Sequence, residues 1–157
     1  MARTYAVSFS AVAITAAQDV FEVTPADDKP VRLLGLVLGQ YTDVGDAASE
    51  NLSVLVRRLP ATFTTGTGGT QGVTPVPLDA SDSAAGFAAD INNTGVATTS
   101  GTAVTLWADV WNTQAGLQVW WPEGAQPQAQ QGAGLVVTIT APADSITSSG
   151  TLIVQEL

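Results

Sequence analysis

The chain has 157 residues, 45% of them hydrophobic and only 12% charged, with a net charge of −9, no cysteine and no histidine. That length fits one domain. The missing cysteine removes disulfides and thiolate chemistry, the missing histidine removes the commonest general base and metal ligand, and the acidity makes nucleic acid an unexpected partner.

From the N-terminus, Tyr5, Val7 and Phe9 alternate with Thr4, Ala6 and Ser8, the two-residue period of a half-buried strand. AVAITAA at 11–17 faintly resembles a signal peptide, but the alternation before it reads as strand, and no run reaches the roughly 18 apolar residues of a membrane span. A soluble chain with no membrane partner is expected. A second alternating strand covers 19–24 and stops at the turn PADDKP, where proline cannot donate to a ladder. VRLLGLVLGQ at 31–40 is nearly continuous in apolar residues and reads as a strand covered on both faces. After the polar segment TDVGDAASEN, LSVLVRRL at 52–59 forms another strand that sends Arg57 and Arg58 to opposite faces.

Residues 60–103, dense in Gly, Thr, Ser, Ala and Pro, read as a long, weakly structured excursion carrying short strands. Within it GTGGTQG at 66–72 fits neither phosphate-loop pattern, so its glycines are expected at a flexible hairpin tip. Strand character returns at 103–112, where Trp107, Asp109 and Trp111 share one face, and at 117–122, where adjacent Trp120 and Trp121 cannot both point inward. LVVTITAP at 135–142 and TLIVQEL at 151–157 complete the chain, the last strand implying an end paired inside a sheet. About eight strands without a helical period give an all-β, single-domain antiparallel β-sandwich, jelly-roll-like, over residues 1–157.

Candidate chemistry is sparse. The acids Asp27 with Asp28, Asp43 with Asp46 and Glu50, and Asp79 with Asp82 sit beside Gly, Pro or Ser, where aspartate usually serves turn geometry, and none matches the EF-hand spacing. No enzyme activity, metal or cofactor is expected. The four tryptophans are the one unusual concentration: Trp107 and Trp111 would make an aromatic platform for a sugar or another protein, with core packing as the competing reading. All five bases, Arg3, Lys29, Arg32, Arg57 and Arg58, precede residue 59 and face seven acids there, with seven more acids and no base beyond.

The segments ARTYAVSFSAVAITAAQDVFEVTPADDKPVRLLGL, DVGDAASENLSVLVRR, AAGFAADINNTG and APADSITSSGTLIVQEL together resemble a family of small proteins encoded near the head genes of tailed phages and prophages. The resemblance implies a non-enzymatic virion structural protein located on the phage head surface. It most resembles a capsid decoration or cement protein that binds the major capsid protein as a homo-oligomer, a trimer. On that reading Arg3, Lys29, Arg32, Arg57 and Arg58 form a basic patch against an acidic capsid surface, with Trp107, Trp111, Trp120 and Trp121 as further partner-binding residues. Against the patch stands local neutralisation of Asp27 and Asp28 by Lys29 and Arg32, worth about 0–1 kcal/mol when exposed. The alternative is a carbohydrate-binding β-sandwich that takes a surface glycan on its tryptophan platform.

Overall fold

The computed structural model describes residues 2–40 and 50–157, so the acids Asp43 and Asp46 lie outside the described residues. Among the described residues there are twelve strands: β1 (Arg3–Ile14), β2 (Gln18–Thr24), β3 (Val31–Gln40), β4 (Asn51–Leu59), β5 (Thr70–Val73), β6 (Val76–Pro77), β7 (Ala88–Asn93), β8 (Val104–Asn112), β9 (Leu117–Trp120), β10 (Gln128–Ala129), β11 (Gly134–Ile139) and β12 (Ile146–Glu156). They pair antiparallel throughout, in two sheets packed as a sandwich. No helix among them is long and apolar enough to cross a membrane.

The first sheet runs β10-β3-β12-β1-β6, with β9 pairing the same edge of β3 as β10; the second runs β5-β7-β2-β11-β4-β8. Eight strands form the body of the two facing sheets, β1, β3, β9 and β12 in the first and β2, β4, β8 and β11 in the second, and along the chain successive ones change sheet except β4 and β8, which pair with each other. Most connections therefore pass from one sheet to the other, and the end strand β12 lies between β1 and β3. Its burial alternates without a break from Ile146 to Glu156, as a strand with one dry face requires.

Between the sheets lie Tyr5, Val7 and Phe9 of β1, Phe21 and Val23 of β2, Leu33, Leu36 and Leu38 of β3, and Leu152 and Val154 of β12, all nearly inaccessible. Phe9 and Phe21 meet across the gap at 5.3 Å, and Tyr5 meets Phe87 edge-on at 5.5 Å. AVAITAA contributes the end of β1, whose Ile14 is fully buried.

The excursion at 60–103 carries the short strands β5, β6 and β7, of which β7 lies between β5 and β2 and is buried over Ala89–Asn93. Residues 19–24 are not half-buried: β2 is covered on both faces from Gln18 to Val23, because chain from the same excursion lies over its outer side.

Leu152→Ala, at the centre of the dry layer, is expected to cost about 2–5 kcal/mol in urea unfolding. Thr151→Ala, on the outer side of the same strand, is expected to stay within about 1 kcal/mol of the parent.

Candidate functional site

The two outer faces of the sandwich differ, and the difference begins with bulges. In β2 the pairing with β11 slips at Val20: Phe21 opposes Val137, while Asp19 opposes Thr138. A regular strand would send Asp19 and Glu22, three residues apart, to opposite sides; the extra residue puts both on the outer face of the second sheet. Both are fully buried there.

What buries them is a strap made of residues 61–69 and 94–101, joined by bridges at Thr64–Thr98 and Thr67–Gly95. Its backbone N–H groups donate to side chains of the sheet beneath: Gly66 to Glu22 at 2.8 Å, Ala97 to Asp19 at 2.8 Å, and Gly69 to Asn93 at 3.1 Å. Beside it, Gly72 of β5 donates to Asp90 at 2.7 Å. A Cβ on Gly66 would stand 2.0 Å from the Gly95 carbonyl oxygen, and one on Gly69 2.2 Å from that of Ile91. GTGGTQG is thus a clamped strap rather than a flexible tip, glycine-rich because its backbone lies against backbone. Phe63 seals one end by lying over Gly134, beside an outer cluster of Leu59, Ala97 and Val136.

Glu22 is the anomalous group. Its Oε1 has no hydrogen-bond partner, and its carboxyl is pushed up to about 7, chiefly by burial and secondarily by the neighbouring Asp19, while the Gly66 N–H and the Asn93 amide oppose the shift. The Arg57 guanidinium reaches under the same strap, donating to Thr138 at 2.8 Å and standing 3.8 Å from Asp19. Thr138 in turn donates to Asp19 at 2.7 Å. Two carboxylates lie together here, but neither is accessible to a substrate, so the arrangement holds loops and offers no hydrolytic pair.

The bases are mostly satisfied locally. Arg3 pairs with Asp82 at 3.5 Å and donates to Ser83, and Lys29 pairs with Glu156 at 3.4 Å rather than with Asp27 or Asp28. Arg57 and Arg58 do leave β4 on opposite faces, opposing outward Val136 and core Leu135. Arg32 donates to Gln155 and Arg58 to the Gln128 carbonyl; among the described residues neither forms an ion pair. Arg58 lines a shallow groove of about 600 Å³ with Pro30, Pro60, Gln128, Gln131 and Leu157, and is its only ionisable side chain. Among the loop acids, Asp79 accepts from Ser81 backbone and hydroxyl, which holds its carboxyl below the usual range, and Glu50 accepts from Ala143 and Asp144 N–H.

Of the two readings of Trp107 and Trp111, platform and core packing, the burial favours core packing. Trp107 and Trp111 share a face, but it is turned to the core: Trp111 is 1% exposed and donates to the Ala115 carbonyl, and half-buried Trp107 packs edge-on against Trp121 at 5.7 Å. The sugar-binding reading loses its surface with that burial. Trp121 is buried too, whereas Trp120 is 57% exposed, as their adjacency requires. Trp120 lies over Gly35, whose added Cβ would stand 2.5 Å from the indole ring. Among these residues Trp120 alone presents a large apolar surface to solvent.

Glu22→Gln tests the buried carboxyl. An acid raised from 4.5 to about 7 contributes stability that is fully present below pH 4.5 and is lost as pH rises through 7. The glutamine variant is expected to be more stable than the parent by roughly 1–3 kcal/mol at pH 8, with the advantage gone by pH 4.5, in urea titrations at both values.

No family model matches this chain, and no curated protein matches it. Among solved structures it is similar to VP17, a capsid protein of bacteriophage P23-77, with a TM-score of 0.26 and 11% identity over 99% of this chain and 96% of that one.

Proposed function

We propose that this chain is a structural protein of a phage head, a decoration or cement subunit that binds the capsid lattice in many copies and acts through contact surfaces rather than a reactive group. The family resemblance of its segments supplies the assignment, since fold alone does not fix function. What supports it physically is the strand order: we read β1-β12-β3-β9 facing β2-β11-β4-β8 as a jelly-roll-like arrangement, an architecture that recurs in viral capsid domains.

The surface chemistry agrees with a lattice-binding role. A −9 chain stays soluble before assembly, while weak contacts repeated over a lattice hold strongly through effective concentration. The major capsid protein is the partner we assign, through Arg32, Arg58 and the groove that Arg58 lines with Leu157, because Arg3, Lys29 and Arg57 are already occupied by Asp82, Glu156 and Asp19. With two bases left over, steering by charge is a minor part of docking.

Mass spectrometry of purified virions carrying this gene is expected to find the chain at a copy number comparable with the major head subunit. Its confinement to the cell lysate, with particles lacking it, would sink the proposal. Raising salt from about 0.05 to about 0.5 M is expected to release little of it from particles, whereas docking through a five-base patch would be screened away.

A further inference from the structure

One outer face is sealed by the strap; the outer face of the first sheet has no such cover among the described residues. The register places one straight row across its whole width: Trp120 opposes Gly35, Gly35 opposes Ile153, Ile153 opposes Ala6, and Ala6 opposes Val76. All five point away from the core, because their neighbours Leu36, Leu152, Val154 and Tyr5 are fully buried within it. Both ends of the row are open, Trp120 at 57% exposed and Val76 at 60%. A bulge makes the row possible: the β3–β12 pairing slips at Leu34, so Leu33 and Leu36 both point inward and Gly35 turns outward beneath the indole.

The neighbouring rows are mostly polar and nearly uncharged. On one side Arg32, Gln155 and Thr4 follow one another across the sheet; on the other Gln118, Val37, Thr151 and Ser8 do so, the last two hydrogen-bonded at 3.0 Å. An apolar centre flanked by mainly polar groups with a single charge is the pattern of an interface core and rim.

We propose that this face pairs with the same face of a second copy of the chain. Charge selects that occupant: two copies at −9 repel, and this face, with Arg32 as the one formal charge in its three rows, lets them meet without bringing acid against acid. Size is that of a small interface. Ten residues each of β1, β3 and β12, with the four of β9 and the two of β6, at about 3.3 Å per residue and about 4.8 Å per strand give roughly 570 Å² per copy, at the low end of the about 1,200–2,000 Å² in total that specific interfaces bury. A two-fold axis along the strands reverses the row, so one copy's Trp120 lies over the other copy's Val76 and each exposed end is covered. A single self-complementary patch gives a dimer, not the trimer that the family resemblance implies.

This inference stands apart from the capsid proposal, since copies pair in solution whether or not they reach a particle. It is tested on the purified full chain by light scattering across about 1–100 µM, a range that standard interfaces of moderate affinity span. The mass is expected to rise from monomer to dimer, and Trp120→Ala and Val76→Ser are each expected to weaken dimerisation roughly tenfold or more. Val110→Ser, which removes a side chain 58% exposed on β8 of the other sheet, is expected to leave it unchanged. Should Trp120→Ala unfold by uncovering Gly35, Val76→Ser still decides, because that side chain is mostly solvent-exposed. A monomer throughout, a trimer, or a dimer indifferent to both face variants overturns the proposal.

Discussion

Side-chain direction in a strand has a period of two, and a single inserted residue reverses it for everything beyond. The surfaces of this sandwich are set by where that reversal occurs. The slip at Val20 gathers Asp19 and Glu22 on one outer face, and the slip at Leu34 turns Gly35 out of the core to receive Trp120. Without the first, one of the two acids would enter the layer that holds Phe21 and Val23, where an unpaired carboxylate is costly. Without the second, Leu33 and Leu36 could not both be fully buried. The dry layer and the two outer faces are consequences of the same pair of irregularities.

Glycine and an aromatic ring recur as a unit on both faces, with opposite outcomes. Phe63 over Gly134 belongs to the strap and closes the second sheet; Trp120 over Gly35 belongs to an edge strand and leaves the first sheet open. In each case the ring shields backbone that lacks a side chain, a device known to steady glycine within sheets. The strap goes further by using backbone N–H groups as ligands for buried carboxylates, which ties an excursion of low hydrophobicity to the sheet without requiring a core of its own. Burying Glu22 costs least while that carboxyl keeps its proton, so the fold loses stability as pH passes neutrality even though the Gly66 N–H itself favours the charged form.

Much of the architecture was legible because long strands with one dry face carry their own signal. The run 31–40 coincides with β3, and the alternations near both termini lie within β1 and β12, which pair with each other. β7 was not legible, because Asp90, Asn92 and Asn93 are poor strand formers in isolation. They fit only because Gly72 and Gly69 donate to Asp90 and Asn93, and Gln18 donates to Asn92, contacts that join distant segments. Alternation correctly grouped Trp107 with Trp111 and separated Trp120 from Trp121, yet it could not say which group faced the opposing sheet. The candidate contact row was equally hidden: Trp120, Gly35, Ile153, Ala6 and Val76 come from five strands, and only the register aligns them.

The sparse charge of the chain acquires a physical reading from these faces. A solvated surface ordinarily carries charge of both signs, but here three of five bases are committed to particular acids and the first sheet's outer face keeps one cation in its central rows. A face built from Thr, Ser, Gln, Ala and Val costs little to desolvate, since no ion has to be stripped of water, and its flat rows admit another sheet at the usual spacing of about 10 Å. The acidic excess then lies elsewhere, where it opposes indiscriminate association. Low charge on the contact face and high net charge on the molecule are therefore complementary requirements: the first permits a specific encounter, and the second suppresses all the others.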